Sequence, residues 1–292
     1  MLTLQSDVGP IKSLLVRHPR DAFVSTEKIQ QEWQKLFFLE QPNLTQATHD
    51  ADAFIAALQS RGIDVKCLPA DPRLTLDALY ARDAALTCNK GVILANMGKA
   101  NRVPEPDVLG DYLRAQNIPV AGRISGSGKI EGGDVAWVDE KTLAVAHGYR
   151  TNAEGIRQLR DILGNDADVV VVPLPHWNGP NDVLHLMSFF SPIAPRKAVI
   201  YSRLMPVPFR ELLLEKGYSF IEVPDSEYDS LGCNVLALAP NVVVMAKGNP
   251  QVKAALQASG CDVIDYDGRE ISWKGSGGPT CLTRPLWREA AE

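Results

Sequence analysis

The sequence predicts an α/β fold in which five similar units form a closed ring. Three observations support this fold class: short apolar strands alternate with amphipathic helices, one order of elements recurs along the chain, and one copy of that order is divided between the two ends. The recurring order is strand, turn, strand, helix, strand. With 292 residues and 45% hydrophobic content, the chain is long enough to bury a substantial core.

Four copies of the repeated order follow one another in the middle of the sequence. Their helices are predicted from apolar residues spaced near 3.6, with Pro or Asn before them and stops such as Gly217 and Gly260 after them. Their strands are predicted from β-branched runs between Asn, Gly and Pro turns. Written as a strand pair, a helix and a closing strand, the units cover residues 83–96, 104–117 and 118–122; 133–146, 152–164 and 167–175; 185–202, 208–217 and 218–224; and 234–247, 249–260 and 261–267.

The fifth unit is divided between the two ends of the chain. A strand around Cys281 is predicted to pair with residues 11–19, which are followed by a helix over 47–62 and a strand over 64–69. This pairing closes the ring and holds the C-terminal segment in place, where chain ends otherwise fray.

Residues 21–43 interrupt the divided unit between its strand and its helix. The segment carries Trp33, Phe37 and Phe38. Two interpretations stay open: the segment is a lid over a pocket, since closing segments are common in enzymes, or it is a helix packed on the outside.

One position is shared by all five units, at or near the start of the first strand. It is occupied by Asp83, Asp134, His185, Asn234 and Cys281, with spacings of 51, 51, 49 and 47 residues. Equivalent positions of a closed ring converge on its axis, so these side chains are expected to face one another. The alternative is that they are unrelated turn residues, because Asp and Asn are common in turns. The matching thiol and imidazole favour convergence.

Cys281 is the candidate nucleophile of this group. A cysteine attacks as the thiolate, and His185 is a group that takes or gives a proton near neutral pH. Neighbouring carboxylates raise the pKa of a thiol, which favours a substrate that brings its own positive charge. A guanidinium is planar, permanently charged and matched to carboxylates. Held against Asp83 and Glu131, it would present its central carbon to the sulfur.

The chemistry that follows is hydrolysis of a guanidino C–N bond. Attack by Cys281 expels an amine that takes a proton from His185, and a covalent S-alkylthiouronium intermediate remains. His185 then activates water, and a ureido product leaves. No metal and no organic cofactor enters this scheme.

Five short segments, in this order, resemble the guanidino-group-modifying enzymes: YARD at 80–83, IEGGD at 130–134, YRTNAEG at 149–155, VLHLMS at 183–188 and GGPTC at 277–281. Within that superfamily the chain is most similar to the dimethylarginine dimethylaminohydrolases, with the arginine deiminases next. The resemblance covers nearly all of residues 1–292. It implies a single catalytic domain with the fold of a five-bladed α/β propeller.

The resemblance also implies a role for each matching residue. It makes Cys281 the nucleophile, His185 the general acid and base, and Glu131 a catalytic carboxylate that holds the guanidinium together with Asp83. Asp134 is expected to support the histidine. An arginine pair is expected to bind the α-carboxylate of the substrate, and an aspartate is expected to lie near its amine; these three residues are Arg102, Arg150 and Asp77.

Two departures from the family pattern bear on the substrate. Met187 stands where arginine deiminases have an aspartate. This difference favours an Nω-methylated or alkylated L-arginine over free arginine as the substrate. The products would be L-citrulline and an alkylamine. Arg82 stands where the dimethylarginine hydrolases tend to have an acidic residue, as is more typical of the deiminases and amidinotransferases. Arginine deimination, amidino transfer and a non-catalytic propeller that serves as a binding module therefore stay open as alternatives.

Composition argues against several other classes of function. The net charge of −5 and the pI of about 5.6 are atypical of nucleic-acid-binding proteins and suit a small cationic substrate. No apolar run reaches the roughly 18 residues that cross a bilayer. The five cysteines form no CxxC pair, so neither a zinc site nor a disulfide framework is predicted. We expect no cofactor, no metal, no membrane partner and a cytoplasmic location, and the sequence is compatible with a homodimer.

Overall fold

Five separate β-sheets form the framework of the protein in the computed structural model, which describes residues 2–290. In chain order their strands are β1 (Leu2–Thr3), β2 (Ile11–Val16), β3 (Asp64–Cys67), β4 (Ala85–Cys88), β5 (Gly91–Leu94), β6 (Val120–Arg123), β7 (Val135–Asp139), β8 (Thr142–His147), β9 (Asp168–Pro173), β10 (Phe190–Ala194), β11 (Lys197–Ile200), β12 (Ser219–Glu222), β13 (Leu236–Ala239), β14 (Val242–Ala246), β15 (Asp262–Tyr266) and β16 (Thr283–Glu289).

Four of the sheets share one connection. In each, the first two strands run antiparallel and the third lies parallel to the second. These sheets are β4–β5–β6, β7–β8–β9, β10–β11–β12 and β13–β14–β15. A parallel third strand needs a crossover connection, usually a helix, so the observed order is the predicted repeat of strand, strand, helix and strand.

The fifth sheet joins the two ends of the chain in the order β1–β16–β2–β3. Strand β16 pairs antiparallel with β2, with Thr283 opposite Val16, and β2 pairs parallel with β3. The short β1 lies on the other side of β16. The divided unit is therefore present, and Cys281 lies in the helical turn that immediately precedes β16.

Helices provide the crossovers between the second and third strands. The helices are α1 (Pro19–Ala22), α2 (Thr26–Glu32), α3 (Leu44–Gln59), α4 (Glu105–Ala115), α5 (Ala153–Leu163), α6 (Val207–Glu215), α7 (Asp225–Tyr228), α8 (Pro250–Ala258) and α9 (Pro279–Leu282). The crossover helices are α3, α4, α5, α6 and α8, and the shorter helices lie in the connecting segments.

The ends of the crossover helices follow the signals in the sequence. The side chain of Asn152 accepts a hydrogen bond from the backbone of the first turn of α5. Gly217 and Gly260 follow α6 and α8 with φ of 80° and 86°, a left-handed conformation that glycine adopts without a steric penalty.

Most predicted elements begin within two residues of their observed start, and two begin further away. The helix predicted over 47–62 begins three residues earlier, because the side chain of Asn43 accepts the backbone N–H of Gln46 and so starts the first turn. The strand predicted from residue 185 begins only at Phe190, because a 3₁₀ turn over Leu186–Ser188 comes first.

Apolar clusters join each sheet to the next. Strands β2 and β16 pack with β4 and β5, and β4 and β5 pack with β7 and β8. One large cluster links β7 and β8 to β10 and β11 and then to β14, and β13 and β14 pack with β2. This order of packing returns to the sheet from which it started, while the propeller geometry itself stays a prediction. Within residues 2–290, no helix is both long and apolar enough to cross a membrane.

Candidate active site

Two clefts meet at Cys281 and His185, and both residues line both clefts. We call the smaller one, of about 120 Å³, the acidic cleft, and the larger one, of about 400 Å³, the apolar cleft. The other ionisable side chains of the acidic cleft that bear on the chemistry are Asp77, Asp83, Lys99, Arg102, Glu131 and Arg150. The large apolar side chains of the apolar cleft are Leu39, Trp177, Val183, Met187, Tyr228, Leu231 and Trp273.

Four of the five positions that were predicted to converge line these clefts; they are Asp83, His185, Asn234 and Cys281. Asp134 lines neither cleft and is buried beside them, with a hydrogen bond to the backbone next to His185. Asp83, Asp134, Asn234 and Cys281 each lie one or two residues before the first strand of a different sheet, and His185 precedes the 3₁₀ turn that leads into β10. Oδ1 of Asp83 is 3.9 Å from Nδ1 of His185. Nδ2 of Asn234 is 3.2 Å from Sγ of Cys281. Side chains from separate sheets thus form one site.

His185 is held by Glu131. Nε2 of the imidazole lies 2.8 Å from Oε2 of the carboxylate, while Oε1 accepts hydrogen bonds from the backbone N–H groups of Gly98 and Lys99 at 3.0 and 2.9 Å. Burial disfavours both charges. The pKa of His185 is nevertheless raised, because the negative charges of Asp134 and Asp83, and then the hydrogen bond and charge of Glu131, favour the imidazolium. The pKa of Glu131 is lowered, because the hydrogen bond to His185 and the positive charge of the imidazolium favour the carboxylate. The pair is therefore an ionised carboxylate and a protonated imidazole at neutral pH.

Asp83 is fixed from two sides. Its Oδ1 accepts the backbone N–H of Gly133 at 2.9 Å, and its Oδ2 accepts Nη1–H of Arg102 at 2.5 Å. Only glycine fits at position 133, since a Cβ there would lie 2.4 Å from Nδ1 of His185. Each carboxylate oxygen has two lone pairs, so Asp83 keeps acceptor capacity for a ligand in the acidic cleft.

Asp134 is hydrogen-bonded to the backbone beside the histidine, and its negative charge raises the pKa of the imidazole without a direct hydrogen bond to it. Its Oδ1 accepts the N–H of Leu186, the residue after His185, at 3.2 Å, and its Oδ2 accepts the hydroxyl of Thr151 at 2.7 Å. Burial raises the pKa of Asp134 to about 6. The direct partner of the imidazole is Glu131, to which the sequence assigned the guanidinium.

Cys281 is partly buried at the junction of the clefts. Burial and, next, the negative charge of Asp83 raise the pKa of the thiol to about 11, against the opposing effect of the hydrogen bond from Asn234. The sulfur is therefore a neutral thiol at pH 7 while the cleft holds no cation. A positive charge placed between Asp83 and the sulfur would remove the main electrostatic obstacle to the thiolate.

Arg102 is engaged by the protein itself. It donates from Nη1 to Asp83, from Nε and Nη2 to Glu105, and from Nη2 to the carbonyl of Tyr80. These four hydrogen bonds leave one of the five donors of a guanidinium. In this conformation Arg102 orients Asp83, and its predicted contact with a substrate carboxylate stays a prediction.

Arg150 and Asp77 also line the acidic cleft. Nη1 of Arg150 lies 3.8 Å from Oε1 of Glu131, and no hydrogen bond from its guanidinium reaches another residue in the described part of the chain. Oδ2 of Asp77 lies 2.6 Å from Nζ of Lys99. Lys99 was not among the residues predicted to lie in the site. The sequence signal for it is the segment KANR, in which Lys99 precedes Arg102 by three residues.

Asp83, Glu131 and His185 have one ligand atom each within 4.8 Å of the others, which is the spacing of a metal site. The geometry suits a different cation better. Backbone N–H groups already bind Asp83 and Glu131, and Arg102 places a fixed positive charge on Asp83. A delocalised organic cation tolerates these partners more readily than a divalent ion, which needs several oxygen or nitrogen ligands directed at one point.

Residues 21–43 border the acidic cleft. Leu36, Phe37 and Leu39 of this segment line it, and Nζ of Lys99 donates a hydrogen bond to the carbonyl of Leu36 at 3.1 Å. Phe37 has φ of 66°, a strained value for a bulky residue, and is 57% exposed. The segment is positioned to act as a lid over the acidic cleft. That it opens and closes as a lid stays a prediction.

Comparison with known proteins decides the family. The family model described as "N,N dimethylarginine dimethylhydrolase, eukaryotic" matches residues 21–288. The chain belongs to this family. This protein is therefore an enzyme, a hydrolase that acts on guanidino C–N bonds. The matched range contains every candidate site residue from Asp77 to Cys281.

Several curated proteins are similar to this member of the dimethylarginine hydrolase family. The N(G),N(G)-dimethylarginine dimethylaminohydrolase of Pseudomonas aeruginosa is 26% identical over 249 residues, which are 84% of this chain and 90% of that protein. The uncharacterized protein YkgA of Bacillus subtilis is 28% identical over 284 residues, 97% of this chain and 94% of that one. An arginine deiminase of Mycobacterium marinum is 27% identical over 248 residues, 72% of this chain and 60% of that enzyme.

Solved structures share the fold of this family member. A mutant of the Pseudomonas aeruginosa enzyme complexed with citrulline has a TM-score of 0.76 and 23% identity, covering 94% of this chain and 98% of that one. SxtG, an amidinotransferase from Microseira wollei, has a TM-score of 0.79 and 16% identity, covering 99% and 98%. At these identities the similarity shows the α/β fold alone.

Proposed function

We propose that the protein hydrolyses the terminal guanidino C–N bond of an Nω-methylated or alkylated L-arginine to give L-citrulline and an alkylamine. The observation that carries the proposal is the acidic cleft, where a thiol, a protonated imidazole and buried carboxylates surround a space of molecular size. The family and the dimethylarginine hydrolase from Pseudomonas aeruginosa support the same reaction class. The substrate is thus a small cationic guanidine, bound by one catalytic domain whose sheets surround the cleft as propeller blades.

Binding activates the nucleophile. The guanidinium lies between Asp83 and Sγ of Cys281, where its charge offsets the carboxylate that raises the pKa of the thiol. The thiol gives its proton to solvent water, since His185 is already protonated, and the hydrogen bond from Asn234 stabilises the sulfur. The alkylamine later takes up one proton from water after it departs, which balances this loss. The substrate itself therefore makes the thiolate.

The thiolate then displaces the alkylated nitrogen. Sγ of Cys281 forms a bond to the central guanidinium carbon, and the electron pair of the C=N bond moves onto nitrogen to give a tetrahedral adduct. The imidazolium of His185 gives its proton to the leaving nitrogen, the C–N bond breaks, and the alkylamine departs. An S-alkylthiouronium on Cys281 remains, with His185 now neutral.

Water completes the cycle. Neutral His185 takes a proton from a water molecule as its oxygen bonds to the thiouronium carbon. The C–S bond breaks, its electron pair returns to sulfur, and the hydroxyl proton of the adduct restores the thiol of Cys281 as the ureido carbonyl of citrulline forms. Glu131 holds the imidazole throughout by its 2.8 Å contact and stabilises the protonated form.

The two clefts receive the two ends of the substrate. Arg150 and the Lys99–Asp77 pair supply charges of both signs in the acidic cleft, which suits the carboxylate and the amine of an amino acid. The apolar cleft adjoins Cys281 on its other side and contains Met187 in place of a carboxylate. An N-alkyl group is favoured beside Met187, since this side chain offers no charge to a free N–H₂; the carboxyl-bearing residues of the same cleft are Asp182 and Asp229.

A panel of guanidines tests this proposal. Arginine, monomethylarginine, asymmetric dimethylarginine, longer N-alkylarginines and agmatine would each be assayed for ureido product and for released amine. We expect the highest kcat/KM for an N-alkylated arginine and a weaker one for agmatine, which lacks the carboxylate. A preference for free arginine would favour deimination, product only with an added acceptor amine would favour amidino transfer, and no product from any guanidine would refute the assignment.

A further inference from the structure

A second cluster of buried charges adjoins the candidate active site, where one of its members, Arg82, lines the apolar cleft with His185 and Cys281. It consists of the guanidinium groups of Arg82, Arg284 and Arg288 and the carboxylate of Asp7, which we call the arginine cluster. Their exposed fractions are 1%, 4%, 2% and 7%. The mechanism proposed above assigns no role to these side chains.

Positive charge exceeds negative charge in the arginine cluster. Oδ1 of Asp7 accepts a hydrogen bond from Nη2 of Arg82 at 2.9 Å, and its Oδ2 accepts the backbone N–H of Trp137 at 2.7 Å. Both oxygens are thus already bound, and Asp7 faces three guanidinium groups. Three cations with one carboxylate form an unfavourable arrangement at this depth, since a buried charge needs a partner.

Several donors of these arginines have no acceptor. Arg284 donates from Nη2 to the carbonyl of Arg82 at 3.0 Å, and Arg288 donates from Nη1 to the carbonyls of Gly9 and Ala237 at 2.5 and 2.9 Å. Among the described residues, five further guanidinium nitrogens are buried without a hydrogen-bond partner; they are Nε and Nη1 of Arg82, Nε of Arg284, and Nε and Nη2 of Arg288. Buried donors are normally satisfied, so a set of five calls for an acceptor.

Burial weakens the charged forms of the same side chains. It lowers the pKa of Arg288 to about 10, and, with the neighbouring charge of Arg82, it lowers the pKa of Arg284 well below its usual value. An anion beside them would restore both pKa values, whereas a water molecule would supply an acceptor without a compensating charge.

A small cavity lies among these groups. All three arginines and Asp7 line it, together with hydroxyl groups of Thr3, Ser6 and Thr87. Its volume of about 10 Å³ is close to the minimum that holds one water-sized particle. A chloride ion is somewhat larger than a water molecule and enters with a small outward shift of the side chains that line the cavity, whereas sulfate and phosphate need a much larger rearrangement.

We propose that this cavity binds a monatomic anion, chloride in particular, which accepts hydrogen bonds from Arg82, Arg284 and Arg288. The anion balances part of the excess positive charge and satisfies the unpaired donors. Because these arginines lie on β16 and just before β4, and Asp7 lies between β1 and β2, it also joins the last strand to two earlier segments of the chain. Chloride should therefore stabilise the folded state.

Bromide is the direct probe of the site, because it replaces chloride and scatters anomalously. Crystals of the full chain grown with sodium bromide are expected to show an anomalous peak within hydrogen-bond distance of the three guanidinium groups. Density refined as water, without an anomalous signal, would overturn the proposal.

Thermal unfolding gives an independent readout. At constant ionic strength, replacing gluconate by chloride is expected to raise Tm by about 3 °C for each tenfold rise in chloride above its Kd. Arg288→Met should abolish this dependence, while Arg203→Met, at an exposed position, should keep it. Equal Tm values in gluconate and chloride, or an unchanged response in Arg288→Met, would contradict the site. If Arg288→Met does not fold, the bromide crystal decides. Neither readout depends on catalytic activity, so the result is separate from the function proposed above.

Discussion

Arg82 and Asp83 are neighbours in the sequence, yet their side chains enter two buried clusters of opposite charge. Asp83 belongs to the acidic cleft with Glu131 and His185, and Arg82 belongs to the arginine cluster with Asp7. The backbone N–H of Arg82 donates to the carbonyl of Cys281 at 3.1 Å, so Cys281 is hydrogen-bonded to the segment that carries both side chains. In the two proposals made above, each cluster is completed by an ion of the opposite sign.

The two clusters differ in the volume of the cavity that each one borders. The acidic cleft offers about 120 Å³, enough for a planar organic cation, and it is continuous with the apolar cleft at Cys281. The cavity of the arginine cluster offers about 10 Å³. An excess of negative charge beside a cleft of this volume is suited to binding and releasing a cationic substrate. An excess of positive charge around an atom-sized cavity is suited to a permanently bound anion.

The largest expected effect comes from removing the sulfur between the two clusters. Cys281→Ser should lower kcat by about 10⁴-fold or more, since loss of the nucleophile removes the covalent route. Cys67→Ser, at an exposed thiol, serves as the matched control and should retain full turnover. Ureido product formed by the Cys281 variant at the rate of the parent enzyme would show that the sulfur is not the nucleophile.

The next effect tests the acidic cleft itself. Glu131→Gln should lower kcat by about 10²–10³-fold, because the imidazole loses the partner that holds and charges it. The sign of the pH effect follows from the raised pKa of His185. The imidazolium of His185 exists below that pKa and is lost as the pH rises through it. Removing the carboxylate of Glu131 lowers the pKa of His185, so the falling limb of the kcat–pH profile moves to lower pH.

Glu154→Gln, on the surface of α5, is the control for this experiment and should leave the profile unchanged. A Glu131 variant with reduced kcat but an unshifted falling limb would mean that the carboxylate acts on something other than the imidazole.

A third prediction measures the preference for cations directly. At pH 7 the thiol of Cys281 is almost entirely neutral, because its pKa is raised to about 11. Chloroacetamidine, which carries the charge that offsets Asp83, should therefore alkylate Cys281 about 100-fold faster than the neutral chloroacetamide, beyond the ratio found for a free thiol in solution. The measurement is the rate of labelling by mass spectrometry. Asp83→Asn should reduce the ratio several-fold, and a ratio equal to that of free cysteine would remove the electrostatic basis of the proposed activation.

The smallest expected effect comes from adding one carboxylate to the apolar cleft. Met187→Asp should raise kcat/KM for arginine relative to dimethylarginine by about tenfold, since a carboxylate can bind a free N–H₂ that the methionine leaves unbound. Met187→Leu keeps the position apolar and should preserve the parent ratio. If Met187→Asp also keeps the parent ratio of the two kcat/KM values, residue 187 does not select between the two guanidines.

Much of the fold was readable from the sequence, because the repeat is long and each helix has its own start and stop signals. Asn152 and Gly260 mark helix ends in the sequence as they do in the structure. The turn at Leu186–Ser188 was not predicted, since its apolar residues look like the start of a strand. Its cause is a local hydrogen bond in which the backbone N–H of His185 donates to the hydroxyl of Ser188 at 3.0 Å.

The composition of the site was also predictable, but not the pairing within it. Glu131 and Asp134 are carboxylates three residues apart, and spacing alone does not say which one touches the imidazole of His185. Tertiary contacts decide that, through the two backbone N–H groups that fix Glu131. The arginine cluster could not be seen either, because Arg284 and Arg288 look like ordinary charged residues of a terminal strand until β16 is placed between β1 and β2.

The sheet that joins both ends of the chain has a consequence for the time at which the enzyme becomes active. While the ribosome is making the protein, four units and most of the acidic groups are translated before Cys281. Strand β16, which follows Cys281, then has to insert beside β2, which is translated before all four of those units. Under the proposed mechanism a growing chain is therefore inert toward its substrate, and catalysis begins only after β16 has paired with β2.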